Sequence, residues 1–158
     1  MKILLAVDGS PCSDEAIAEV ARRPWPAGSE IEVIAAFELV LPPSPDAWAI
    51  PPSYLADLDR IASEHAGKLV DQVANKLRTA VPEQLQVSTK CAPGAPASVI
   101  LDEAESWGAD LIVVGSHGYR AWERFLLGSV SQSVVSHAKC SVEVVRCRER
   151  GAPAEVAG

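Results

Sequence analysis

A chain of 158 residues with 48% apolar side chains can fill one continuous core and is short for several domains. Its formal charge of −7 leaves no Lys/Arg stripe with which to grip nucleic acid or an acidic membrane surface. The apolar runs KILLAVDG and DLIVVG are too short to span a bilayer as helices, and the first stops at Asp8 without a small-residue cleavage pattern, so a single cytoplasmic domain without membrane or nucleic-acid partners is expected.

Residues 2–8 are apolar after Lys2 and end in the turn chemistry of DGSP, the pattern of a strand buried on both faces. Ser13 or Asp14 can cap the next segment, where Ala16, Ile17, Val20 and Ala21 recur at helical spacing until RRPWPAG breaks it. EIEVIAAF, residues 30–37, is a second strand, which completes one strand-helix-strand unit. Residues 38–53 carry five prolines and form a long loop. Residues 54–80 place Leu55, Leu58, Ile61, Leu69, Val73 and Leu77 on one stripe of a long helix.

Residues 84–91 give a third strand, PGAP opens a helix that Gly108 ends, and ADLIVVG makes a fourth strand. A helix over 129–138 and a strand over 141–145 follow. The alternation predicts an α/β fold, a single-domain, open, doubly wound parallel sheet with helices on both faces. Residues 1–147 form the domain, and 148–158 lack periodicity and read as a flexible tail.

In such sheets ligands sit beyond the carboxyl ends of the strands, where neighbouring connections run to opposite faces. Asp8 and Gly9 end the first strand there, and Gly115, Ser116, His117 and Gly118 end the fourth. Ten residues on, Gly128, Ser129, Val130 and Ser131 open a helix whose first N–H groups lack partners inside it and carry the positive end of its dipole, a natural anion site. The alternative is a tight glycine turn followed by a helix that Ser129 caps. No G-x-G-x-x-G follows the first strand and no G-x-x-x-x-G-K-[ST] occurs, which argues against dinucleotide dehydrogenases and P-loop NTPases.

The spacing Gly115-x-x-Gly118, nine residues, then Gly128-Ser129 resembles the G-2x-G-9x-G-[S/T] motif of the ATP-binding universal stress proteins. ILLAVDGS, GAPASVILDEAESWGADLIVVGSHG and LLGSVSQSVVSHAKCSVEVVR extend the resemblance over nearly the whole chain. It implies a Rossmann-like sheet of the adenine nucleotide α-hydrolase type, five strands in the order 3-2-1-4-5. It also implies a nucleotide-dependent stress-response regulator that binds ATP, with Mg²⁺ on the phosphates, and forms a homodimer through residues 141–145. The nucleotide-binding positions it implies are Ala6, Val7, Asp8, Gly9, Ala36, Gly115, Ser116, His117, Gly118, Gly128, Ser129, Val130 and Ser131, with Asp8 also the metal ligand. The exposed edge of the SVEVV strand, Ser141–Val145, points to the same dimer. Two further readings stay open: a slow Mg-dependent ATP hydrolase, and a dimeric interaction module that binds protein partners and no nucleotide.

The remaining polar candidates each have a bland and a functional use. Arg120 or Arg124 could reach a phosphate and Trp122 could act as a lid, or all could be ordinary surface residues. His117 has no evident nucleophile or oriented carboxylate beside it in sequence, so no catalytic residue is assigned. Cys12, Cys91, Cys140 and Cys147 show neither C-x-x-C pairs nor His at metal spacing and are expected to be reduced thiols. Cys12 near a helix N-terminus is a small buried hydrophobe in the commoner reading and an oxidant-sensing thiol in the other.

Overall fold

The computed structural model describes residues 1–38, 51–83, 85–118 and 127–147. Its elements are β1 (Lys2–Ala6), α1 (Pro11–Arg22), β2 (Glu30–Phe37), α2 (Pro52–Ala80), β3 (Gln86–Pro93), α3 (Pro96–Trp107), β4 (Leu111–Gly115), α4 (Ser129–His137) and β5 (Ser141–Val145). The five strands form one sheet in the order β3-β2-β1-β4-β5, and each neighbouring pair is parallel. The doubly wound α/β expectation and its strand order hold.

Two-sided burial explains the continuous apolar strands. Ile3, Leu5, Val7, Ile31, Val33 and Val113 face α1 and α2 in one core. Leu4, Ala6, Ile34, Ile112 and Val114 face α3 and α4 in the other. Because side chains alternate along a strand, β1 feeds both cores and Ile3, Leu4 and Leu5 are all fully buried. The predicted stripe on the long helix is real in its second half, where Ala66, Val70, Val73, Ala74 and Leu77 pack into the first core; Ile61 lies largely exposed.

The ends of elements moved for local reasons. The first helix starts at Pro11, and its cap is Ser10, whose side chain accepts from Ser13 N–H, in place of Ser13 or Asp14. Proline suits that first turn because its missing N–H would have no partner in the helix. For the same reason α2 starts at Pro52, inside the loop expected over 38–53. The third strand runs from Gln86 to Pro93, two residues later than expected. Gly108 closes α3 in the left-handed conformation, φ 74°, which glycine adopts without cost from a Cβ. Residues 39–50 of the proline-rich loop, Arg120, Trp122, Arg124 and the 148–158 tail lie outside the described residues.

Cys12 and Cys147 are joined in a disulfide, which corrects the expectation of four thiols; Cys91 and Cys140 are free. Topology explains the pairing. β5 lies beside β4 and its exit runs toward the N-terminus of α1, so residues far apart in sequence meet with Cα atoms 4.6 Å apart, within bridging range.

One charged group sits against the second core. Glu32 of β2 and Glu103 of α3 are each 8% exposed, Lys90 of β3 pairs with Glu103, and Glu32 Oε1 has no hydrogen-bond partner among the described residues. Burial, followed by the hydrogen bond and like charge of Glu103, raises the Glu32 carboxyl from 4.5 to about 7. Between these values the folded protein keeps a proton that the unfolded chain has released. The stability this carboxyl contributes is therefore complete below about 4.5 and lost as pH rises through about 7. The Glu32→Gln protein, whose side chain at this position is neutral at every pH, should unfold in urea with a flatter pH dependence between about pH 5 and about pH 8 and be more stable than the parent at the upper end, by on the order of 1 kcal/mol. Parallel profiles would refute the assignment.

Candidate functional site

β1 and β4 are adjacent, while β1 connects onward to β2 on one side and β4 to β5 on the other. Their carboxyl ends therefore flank the crevice where connections diverge to opposite sides of the sheet. Asp8, Gly9, Gly115, Ser116, His117 and Gly118 surround this crevice, and α4 brings Gly128, Ser129, Val130 and Ser131 to it.

Ser116, 2% exposed, is where the segments meet. Its N–H donates to the carbonyl of Val145 at the end of β5, 2.7 Å. Its carbonyl accepts from Gly128 N–H at 2.8 Å and from Ser131 Oγ at 2.9 Å. Its hydroxyl donates to Cys12 Sγ at 3.7 Å and lies 3.1 Å from His117 Nδ1. The Gly128 carbonyl also lies 2.9 Å from Ser131 Oγ and shares its one proton with the Ser116 carbonyl, so the α4 N-terminus is fixed against the end of β4. The helix starts with Gly128 as its N-cap and Ser129 as its first residue, so Ser129 is not the cap. Ser131 is buried, and its hydroxyl serves the protein; Ser129 is exposed.

Asp8 is exposed at the mouth of the crevice. Its Oδ1 accepts from Ser10 N–H at 2.9 Å, while its own N–H donates to Ser13 Oγ at 3.3 Å. Ser10 in turn donates through Oγ to the His117 carbonyl, 3.3 Å, and ties the two loops together. Gly9 has φ 77°, which lets the chain turn sharply from Asp8 into α1.

The motif glycines are selected by space and not by left-handed backbone, since none of Gly115, Gly118 and Gly128 has positive φ. A Cβ on Gly115 would lie 2.8 Å from the carbonyl carbon of Cys12 and 2.9 Å from its oxygen. Gly115 therefore admits the first turn of α1 against the sheet and serves the fold directly. A Cβ on Gly118 would lie 2.8 Å from Asp8 Oδ2, and one on Gly128 would lie 3.2 Å from the Ser116 carbonyl oxygen. These two glycines keep the Asp8 carboxylate and the α4 N-terminus close to the crevice.

Ala6 and Val7 are buried and their side chains belong to the two cores, so only backbone is available at these positions; Val7 N–H already donates to the Ile34 carbonyl. Ala36 stands at the same end of the sheet, beside Ala92 of β3. Among the described residues no group of three or more His, Cys, Asp or Glu could hold a metal ion by itself. A cavity of about 250 Å³ between α3 and α4 is lined by Asp102, Glu105, His137, Lys139 and Cys140 among others. It lies by the turns that lead into β4 and β5, at the opposite end of the sheet from Asp8. No helix among the described residues is long and apolar enough to cross a membrane.

Comparison with known proteins decides the family. Residues 1–146 match the model of the universal stress protein family. The chain belongs to the universal stress protein family. It is 33% identical over 148 residues to universal stress protein A homolog 2 of Coxiella burnetii, covering 93% of this chain and 95% of that protein. The fold is similar to that of the universal stress protein UspA from Lactobacillus plantarum, with TM-score 0.74 and 25% identity over 92% of this chain and 97% of that one. It is also similar to a universal stress protein solved in complex with cAMP, TM-score 0.64 and 22% identity, covering 94% of this chain and 98% of the other.

Sequence reasoning missed the disulfide and the Glu32 cluster. EIEV shows an acidic residue within an apolar strand, a signal that could have marked Glu32. Nothing in the spacing of Cys12 and Cys147 pairs them. The space argument separates the glycines experimentally: Gly115→Ala should lower the urea-unfolding free energy by about 1–3 kcal/mol, whereas Gly118→Ala need only displace the end of the Asp8 side chain and should cost clearly less. Equal losses would show that the contact with the α1 backbone does not select Gly115.

Proposed function

We propose that the crevice beside Ser116 binds an adenine nucleotide, ATP in the first instance, and that holding it is the protein's function as a stress-response regulator. The observation that carries this reading is the cradle itself. The N-terminus of α4 is fixed against the end of β4 by Ser131 and Gly128, and the glycines there let the Asp8 carboxylate and the α4 N-terminus come closer to the ends of β1 and β4 than a Cβ would allow. Phosphate oxygens would accept from the first N–H groups of α4, where the dipole favours negative charge, and the exposed Ser129 hydroxyl adds a donor. The ribose would lie against the backbone of residues 115–118 and the adenine against the backbone near Ala36 and Val7. Binding of cAMP by a structural neighbour and the G-2x-G-9x-G-S spacing support an adenine nucleotide.

Mg²⁺ fits the donor set as a companion of the phosphates and not as a resident ion. The exposed Asp8 carboxylate offers oxygen at the mouth of the crevice, and Mg²⁺ is commonly held by one or two carboxylates together with phosphate oxygens and water. Bound there, the ion would neutralise phosphate charge next to Asp8. The role of Asp8 is thus metal-dependent affinity, while Ser10 keeps its carboxylate oriented. Residues 1–147 act as the binding domain, and the free edge of β5, Ser141–Val145, is the surface proposed to join a second copy. Glu143 on that strand is held by both terminal nitrogens of Arg23, at 2.7 Å each. Val142 and Val144 pack on the second core.

Denaturing the freshly purified protein and separating what it releases should yield an adenine nucleotide, and the stripped protein should bind Mg-ATP saturably by calorimetry. Gly128→Val should weaken that binding at least about tenfold, as loss of a charge-assisted hydrogen bond or two implies, with the circular dichroism spectrum unchanged. Asp8→Ala should lose affinity in Mg²⁺ and differ little from the parent in excess chelator. Undiminished binding by the Gly128→Val protein would move the site elsewhere. An ADP-release assay with the Asp8→Ala protein as control separates holding the nucleotide from hydrolysing it.

A further inference from the structure

We infer that the Cys12–Cys147 disulfide is an exchangeable redox site that accepts dithiols, and that its reduction loosens the Ser116 cradle. The coupling half of this inference rests on the nucleotide reading of the crevice; the exchange chemistry does not.

The two sulfurs are unequal. Cys12 is the second residue of α1 and only 4% exposed, whereas Cys147 follows the end of β5 and is half-buried. An incoming thiolate therefore reaches Cys147. The bond that breaks leaves the electron pair on Cys12, where two features favour a thiolate leaving group: the positive dipole end at the α1 N-terminus, and the Ser116 hydroxyl aimed at this sulfur from 3.7 Å. A stabilised leaving thiolate speeds exchange.

The steps balance. One thiolate of the dithiol attacks Cys147 Sγ, forms a mixed disulfide and expels Cys12 thiolate. The second thiol of the same molecule, deprotonated, then attacks its own sulfur in that mixed disulfide. It closes the reductant into a disulfide and releases Cys147 thiolate. Two electrons pass from dithiol to protein, and the two protons lost by the dithiol go to the new thiols or to water. A low-molecular-weight disulfide such as oxidised glutathione reverses the sequence. In a reducing compartment a disulfide is commonly of this transient, sensing kind.

Position links the bond to the crevice. Ser116 lies between the two segments the disulfide joins: its hydroxyl meets Cys12, and its N–H meets Val145, two residues before Cys147. The backbone of Cys12 also presses on Gly115. The intact bond thus clamps α1 and the exit of β5 around the residue whose carbonyl holds the α4 N-terminus. Cutting it removes the clamp and part of the preorganisation that favours phosphate binding.

The test uses the full chain. After oxidation with diamide, denaturation and iodoacetamide should label Cys91 and Cys140 alone, and dithiothreitol treatment should add Cys12 and Cys147. Brief exposure of the oxidised protein to glutathione should trap the adduct on the Cys147 peptide. Mg-ATP affinity should fall about tenfold on reduction, within the usual range of coupling between sites. The Cys147→Ser protein, its fold checked by circular dichroism, should bind like the reduced parent under both conditions.

Four labelled cysteines after diamide, or an adduct on Cys12, would overturn the exchange assignment. Equal affinity in the two redox states would overturn the coupling. Absence of nucleotide binding in both states would defeat the nucleotide reading and the coupling with it, while the labelling map would still decide the exchange.

Discussion

The close approach of the α1 N-terminus to the end of β4 is the constraint on which the rest depends. Gly115 permits it, since a Cβ there would meet the Cys12 carbonyl group at under 3 Å. With α1 held so near, Ser116 is buried between α1, α4 and β5, and each of its polar groups finds a partner in another segment. A buried polar residue satisfied in this way fixes the relative positions of its partners more tightly than apolar packing does. The α4 N-terminus is therefore aimed before any ligand arrives.

The sheet explains why these contacts gather at one end. Parallel strands place all their carboxyl ends together, and the divergence of connections beside β1 and β4 leaves a crevice there. Burial of both faces fixes the register of β1 and β4, so Asp8 and Gly118 emerge next to each other. Their proximity, a would-be Cβ 2.8 Å from Asp8 Oδ2, joins the acidic turn and the glycine loop into one mouth. The cores on the two faces supply stability, whereas the crevice concentrates exposed donors and the Asp8 carboxylate.

Strands were legible because continuous apolar runs such as KILLA and LIVVG have few other uses, and the order of elements then constrained the topology. Helix starts were less legible. Ser10, Ser13 and Asp14 are all good caps in isolation, and the choice of Ser10 follows from Pro11, which starts the helix three residues earlier than a Ser13 cap would. The motif positions were readable as a cluster, but the individual duties of the glycines were not. Gly115 reads in sequence like Gly118, yet it accommodates a neighbouring helix, a tertiary fact that spacing does not encode. The Cys12–Cys147 pair was hidden for the same reason, being separated by 135 residues and brought together only by β5 lying beside β4.

The central claim is that the crevice organised by Ser116 is where an adenine nucleotide binds. Following backbone amide resonances of the isotopically labelled protein during a Mg-ATP titration tests it most directly, because each amide reports its own surroundings. The account predicts saturating shifts concentrated at Gly9, Ser116, Gly118, Ser129, Val130 and Ser131, with the cavity between α3 and α4 unaffected. Shifts centred instead on Glu105, Lys139 and Cys140, or no saturable shift anywhere, would contradict it.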